Sequence, residues 1–287
     1  MQVLQVIFSG VAQGCIYGLI ALGFVLIYKA TETVTFAQGE LMMLGAFAGL
    51  ACVTYLGWPF GLAVMVSLLV MACVGWLVER AVINPVLGEP AFAIVMLTIG
   101  VGYVARGLVT MVPNIGTETH NLPVPYADTS FQLGSLVLGA TQLVVMATTA
   151  VLCGLLYLMF KYTRVGIAMQ ATSQNQLAAY YMGIPVKRLN SMVWALAAVV
   201  ATVAGLLLAP ITFVHANMGF IGLKAFPAAV VGGFGSLPGA IVGGLLVGIA
   251  ENLFLLVIPP GYKPAMPFVL LLVVLLFRPQ GLFGEKT

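Results

Sequence analysis

Eight apolar stretches long enough to cross a bilayer run through the chain, at roughly 6–28, 41–57, 60–79, 92–112, 135–160, 190–210, 237–258 and 264–277. Hydrocarbon offers backbone N–H and C=O groups no partner, so such stretches fold as helices or as a closed barrel. These runs are continuous rather than alternating, which fits helices and not the period-two strands of a barrel. The fold class read from the sequence is therefore all-α, a polytopic transmembrane helical bundle of about eight segments forming one domain, 1–287. Composition removes the soluble alternative. Only 7% of the 287 residues are charged and 62% are hydrophobic, whereas an ordinary soluble domain carries about 25% charged residues.

The few charges set an orientation. Lys and Arg concentrate on the cytoplasmic side of a membrane. With the N-terminus outside and the C-terminus cytoplasmic, the inner segments collect Lys29, Arg80, Lys161, Arg164, Lys187, Arg188, Arg278 and Lys286, and the outer side holds Lys224 and Lys263. Single basic residues scattered between spans give no footprint for nucleic acid. Cys15, Cys52, Cys73 and Cys153 lie inside apolar runs without a C-x-x-C pair or a His at ligand spacing, so no metal site and no disulfide framework is indicated. The segment Met1–Gln5 lacks the basic start of a cleavable signal, and the run after it reads as a first span.

Counting crossings makes one segment informative. The chain leaves the cytoplasm after Asn190 and re-enters through the last span, so an even number of crossings lies between. The stretch 224–258 has room for one span and a shorter limb, and its centre reads Gly232-Gly233-Phe234-Gly235-Ser236-Leu237-Pro238-Gly239. Such a breaker cluster suits the tip of a half-helix hairpin, a broken or re-entrant helix followed by a span. A pair of short tilted spans is the other reading. Gly235, Gly239 and Gly243, with Gly244 and Gly248, recur at four-residue spacing and allow close helix approach or a smooth passage.

The largest inner loop, 161–190, carries a short helix marked at both ends. Ser173 followed by Gln176 makes a capping-box pattern, Leu177, Ala178, Tyr181 and Met182 supply an apolar face, and Gly183 with Pro185 closes the helix. About nine residues give a length of roughly 14 Å. An exposed apolar face needs a partner's groove or the membrane interface to cover it.

Several segments resemble one family. The run Gly166-Ile167-Ala168-Met169-Gln170-Ala171-Thr172-Ser173-Gln174-Asn175, then Ala178-Ala179 and Met182-Gly183-Ile184, is similar to the cytoplasmic coupling loop of permeases in the branched-chain (hydrophobic) amino acid ABC importers. Phe36-Ala37-Gln38-Gly39-Glu40-Leu41, Ala228–Ser236 with Gly239-Ala240, and Arg278–Gly284 resemble three further segments in the family's order. The chain departs from the pattern at Thr35 and Gln38, where Asn and His are usual, and at Ile167 and Gln170, where basic residues are usual. Those positions bear on substrate identity.

The resemblance implies the shorter of two permease types, in a bacterial inner membrane. It implies a second permease subunit, two ATP-binding subunits and a periplasmic substrate-binding protein as partners. It also implies an ATPase-coupling role for Gly166, Ala171, Thr172, Ser173, Gln174, Asn175, Ala178, Ala179, Met182, Gly183 and Ile184. The sequence itself has no G-x-x-x-x-G-K-[ST] phosphate loop. The chain is thus expected to be no enzyme and to bind no cofactor, with ATP and Mg²⁺ on the partner chains.

The candidates for a translocation pathway are polar residues in or near the spans, Gln13, Gln38, Glu40, Thr98, Glu251 and Asn252, together with Gly232, Gly233 and Gly235 of the breaker cluster. An ionisable group in a span costs about 2.5–3.5 kcal/mol on insertion scales, which asks for a reason. Glu40 serves the dipole of the second span or a gate; Glu251 makes a helix contact, lines the pathway or reaches the exterior; Arg106 snorkels to its span's outer end. Gln13, Thr98 and Gln142 bond a solute or a neighbouring helix, and His215 reads as an outer-loop residue. An ion-coupled secondary transporter is the main alternative, but such carriers place several acids or a His in their spans. An intramembrane enzyme lacks H-E-x-x-H and G-x-S-x-G, with Asp128 in an outer loop as the sole Asp, and a passive channel is the remaining class.

Overall fold

Helix α1 (Gln2–Thr31) is apolar on every side, and a helix without a polar stripe is stable only when surrounded. It runs through the middle of the bundle, with 89% of its most apolar window buried. The computed structural model describes residues 2–113, 115–127, 129–133, 136–256 and 259–284. After α1 come α2 (Gln38–Leu50), α3 (Phe60–Val78), α4 (Ala91–Thr110), a two-stranded antiparallel ribbon of β1 (Ser130–Leu133) and β2 (Leu136–Gly139), and α5 (Ala140–Tyr162). Then follow α6 (Arg164–Gln174), α7 (Gln176–Tyr181), α8 (Val186–Thr212), α9 (Gly219–Gly232), α10 (Leu237–Phe254) and α11 (Met266–Phe277). Among the described residues, six helices are long and apolar enough to cross a membrane: α1, α3, α4, α5, α8 and α10. The protein is an all-α multi-pass membrane bundle.

Burial sorts these helices into layers. The windows of α1 and α8 are 89% and 72% buried, whereas those of α3, α4 and α5 are only 22–28% buried and turn large apolar side chains such as Leu69, Met96 and Leu155 outward. In water such a surface would aggregate; here it is the face a bilayer solvates. α1 packs against α10, α8 and α9, while α2 and α3 pack on α8.

Glycines set the closest of these approaches. Gly10, Gly14 and Gly18 of α1 face Gly244 and Gly248 of α10, and a Cβ on Gly248 would lie 2.3 Å from both the N and the Cα of Gly14. The four-residue glycine spacing therefore serves backbone contact between two helices. A Cβ on Gly243 would lie 2.2 Å from the Ala228 carbonyl oxygen, which holds α9 equally close to α10.

The expected broken helix is present, with moved limits. α9 has 14 residues, about 21 Å at 1.5 Å per residue, too short for the roughly 30 Å hydrocarbon core. It begins five residues before the anticipated 224 and ends at Gly232, followed by Gly233, whose φ of +98° is a conformation glycine adopts without strain. Ser236 then caps α10, its Oγ accepting from Gly239 N at 3.1 Å. α10 stops at Phe254, and Val257 and Ile258 of the anticipated span lie outside the described residues. Other boundaries shift too. The fifth span starts at Ala140 because 136–139 form β2, and Ser135 is outside the described residues. α2 starts at Gln38 and continues through one π turn, Ala51–Tyr55; a second π turn, Glu79–Ile83, prolongs α3.

Candidate functional site

At one end of the bundle α6 folds back on α5. Gly166 makes the reversal possible, since a Cβ there would lie 2.3 Å from the Met159 carbonyl oxygen. Thr163 caps α6, its Oγ1 accepting from Gly166 N at 3.0 Å. The next helix differs from the sequence reading. Ser173 is still inside α6 and donates to its Gln170 carbonyl at 2.9 Å, and Asn175 is the cap of α7, its Oδ1 accepting from Ala178 N at 2.9 Å. A polar residue two positions later does the capping instead, for the N–H groups of a helix that starts later, so α7 has six residues rather than nine.

The other end of α7 closes as expected. Gly183 has φ +85°, its N–H bonds the Tyr180 carbonyl at 2.9 Å, and Ile184 N–H bonds the Ala179 carbonyl at 3.0 Å, a paired closure that needs a left-handed residue. Ala179 and Thr172 are buried and Ile184 packs on the core, while Leu177, Tyr180, Tyr181 and Met182 point outward. Met182 is 85% exposed, and among the described residues none covers the apolar face of α7. Gln176 anchors the inner face by donating to the Ala30 carbonyl near the end of α1 at 2.9 Å. Beside it an open groove of about 910 Å³ is lined by Glu32, Glu89, Lys187 and Arg188.

A polar cluster gathers near the N-terminal half of α1. Gln13 Nε2 donates to Tyr17 Oη at 2.8 Å and to Glu251 at 3.2 Å, and Asn252 Nδ2 donates to Gln13 Oε1 at 2.9 Å. Lys263 reaches the same Gln13 oxygen at 3.4 Å. Gln13, Tyr17, Glu251, Lys263 and Lys224 border a cavity of about 610 Å³ with Gln142, which donates to Ser9 Oγ at 3.1 Å. Glu251 is thus buried in a network instead of reaching outward, and Lys224 belongs to α9.

The third centre lies between α2, α4 and α9. Arg106 forms an ion pair with Glu40, so it turns into the bundle and does not snorkel. Pairing is what makes both charges tolerable there. Its guanidinium also sits 4.0 Å over the Phe220 ring. The pair borders a cavity of about 290 Å³.

The remaining candidates are dispersed. Gln38 is fully buried, donates to the Ala197 carbonyl at 3.2 Å and fills the notch left by Gly23. Thr98 Oγ1 accepts from Phe36 N at 3.1 Å. Gly232 and Gly233 form the α9–α10 turn, where the tail docks: Leu282 N–H bonds the Val231 carbonyl at 2.8 Å and Phe283 N–H the Gly232 carbonyl at 3.1 Å. Gly235 stands in open space. His215 is a loop residue whose Nδ1 lies 3.3 Å from the Phe213 carbonyl.

One buried acid escaped the sequence reading. Glu79 closes the apolar run 60–79 and, next to Arg80, reads as a span boundary. In the structure α3 continues through a π turn, and Glu79 is fully buried and accepts a hydrogen bond from Ser191 Oγ of α8. Among the described residues no group of three His, Cys, Asp or Glu is placed to hold a metal ion.

Comparison with known proteins agrees with this architecture. The chain is 32% identical to the high-affinity branched-chain amino acid transport system permease protein LivH of Escherichia coli K12, over 98% of this chain and 96% of that one. It is 30% identical to the corresponding protein BraD of Pseudomonas aeruginosa, again over 98% and 96%. A probable LivH of Methanocaldococcus jannaschii is 27% identical over 93% of this chain and 88% of its own length. Among solved structures, PsaBC from Streptococcus pneumoniae in complex with Fab has a similar fold, with a TM-score of 0.51 over 96% of this chain and 92% of that chain at 16% identity. Residues 6–275 match the family described as branched-chain amino acid transport system / permease component, and the chain belongs to that family.

Proposed function

We propose that this chain is one membrane subunit of an ATP-binding cassette importer that moves branched-chain or related small amino-acid-like solutes delivered by a periplasmic binding protein. In this reading it works with a second permease subunit, and ATP and Mg²⁺ are bound by two further subunits. It lies in a bacterial inner membrane with its N-terminus outside and α7 in the cytoplasm. The names of its relatives support this, as does the gathering of Lys29, Lys161, Arg164, Lys187 and Arg188 at the end of the bundle that carries α6 and α7, since basic residues favour the cytoplasmic side.

The observation that carries the proposal is α7. It is pinned at both ends, bonded to α1 through Gln176, and bare on its outer apolar face. A groove on an ATPase that receives Leu177, Tyr181 and Met182 can push the helix as a rigid body. The push reaches α1 at Ala30 and, through the glycine seam, α10 and the Gln13–Glu251–Asn252 network. A single mechanical element thus joins the nucleotide end to the opposite end.

The test is ATP-driven L-leucine uptake by the reconstituted assembly. Ala178→Glu puts a charge on the docking face and should abolish uptake while the chain stays in the membrane. Met182→Cys should react with an impermeant thiol reagent only after the inner membrane is opened. Normal uptake by Ala178→Glu, or labelling of the Met182→Cys variant in intact cells, would remove the coupling role.

A further inference from the structure

The cavity of about 290 Å³ beside Glu40 and Arg106 has a chemistry that packing alone does not require. One end holds a carboxylate and a guanidinium. The rest is apolar, with Phe24, Phe36, Ile99, Tyr103, Phe220 and Leu223 as its walls. Backbone at Gly102, Gly219 and Gly222 completes it; a Cβ on Gly219 would lie 2.4 Å from a Glu40 carboxylate oxygen, so side chains are excluded there. Phe24 and Glu40 are buried at the bottom, whereas Tyr103, Phe220 and Leu223 are exposed at the mouth. The volume lies just under the roughly 300–1,000 Å³ usual for small-molecule sites, which suits one small solute.

The ion pair is itself incomplete. Glu40 Oε2 and Arg106 Nε are buried and have no hydrogen-bond partner among the described residues, so a single contact joins two groups that are capable of a two-pronged one. An acceptor and a donor left unsatisfied in a membrane interior are costly. We propose that Glu40, Arg106 and the aromatic walls form a binding pocket for the zwitterion of an apolar amino acid. The ligand's ammonium takes Glu40, its carboxylate takes Arg106, and its side chain lies against Phe24, Phe36 and Ile99. Partners are exchanged without net change of charge, so the ligand enters without leaving either protein charge alone. This assignment rests on the amino-acid importer reading for its ligand class, and it adds that the membrane subunit itself recognises the solute.

Thermal stabilisation of the purified full chain by L-leucine is the direct test. Leucine should raise the melting temperature. Isoamylamine and 4-methylpentanoate, each lacking one charged group, should bind more weakly by about tenfold or more, as should leucine to Glu40→Gln and to Arg106→Gln. Ile99→Phe leaves the pair intact and fills the cavity; it should shift the preference from leucine toward alanine by about tenfold, a change that a purely structural ion pair does not produce. Absence of stabilisation in the unmodified chain, equal binding by Glu40→Gln, or an unaltered preference in Ile99→Phe would overturn the pocket. ATP-driven uptake separates the two claims. Uptake by the unmodified assembly with full retention in Glu40→Gln sinks the pocket and leaves the importer; leucine stabilisation without any ATP-driven uptake does the reverse.

Discussion

Gly248→Ala is a severe test of the α1–α10 seam because it adds one methyl group and nothing else. The new Cβ would lie 2.3 Å from the N and Cα of Gly14 and 2.7 Å from the Gly10 carbonyl oxygen, all rigid backbone. Ordinary carbon contacts sit near 3.5–4.0 Å, so the two helices must separate locally by about 1 Å or more. A gap of 0.5–1 Å already forfeits a quarter to a half of each contact's attraction along the seam. Overpacking of this kind costs about 1–3 kcal/mol, against which replacing a helical glycine with alanine returns at most about 1 kcal/mol. The net expectation is a loss of up to about 2 kcal/mol, or roughly 4–8 °C in melting temperature for a chain of this size. Gly100 of α4 is the control, because a Cβ there meets nothing within 4 Å. Gly100→Ala should hold or gain about 1 kcal/mol. Melting of both purified variants in the same detergent reads the difference directly. Equal melting temperatures would refute the claim that backbone contact at the seam holds α1 to α10.

Two further outcomes follow from the same structure. Ser191→Ala removes the hydrogen bond to buried Glu79 and should destabilise by about 1–3 kcal/mol, whereas Glu79→Leu combined with Ser191→Ala should restore most of that; a double-mutant cycle by thermal melting checks the pair. Asn175→Ala removes the cap of α7 and Gly183→Ala forces a side chain to φ +85°, each costing about 1 kcal/mol locally, so ATP-driven uptake should fall severalfold while global melting barely changes.

How far the sequence reaches is visible in particular residues. The apolar runs locate the long helices to within a few residues because a bilayer demands uninterrupted hydrophobicity and tolerates no alternative backbone solution. The α9–α10 break is legible in Gly232–Gly239 because glycine and proline are local punctuation. The closure of α7 at Gly183 is legible for the same reason, whereas its cap lies two residues beyond the expected one: Ser173, Asn175 and Gln176 all carry cap chemistry, and the backbone path decides among them.

What a side chain in a span faces is a different matter. Arg106 looks the same in sequence whether it snorkels or pairs, and only the crossing of α2 and α4 brings it to Glu40, 66 positions away. Glu79 reads as a boundary because a π turn that carries it into contact with Ser191, 112 positions on, leaves no mark in composition. Gln13 meets Glu251 and Asn252, 238 and 239 positions on, through the α1–α10 glycine seam. Hydrophobicity, caps and breakers act within a few residues and are written locally, so the chain alone determined that it spans a membrane, where it turns and which short helix it leaves bare. Pairing of charges depends on which helices touch and at what angle, and that was decided only when the bundle closed.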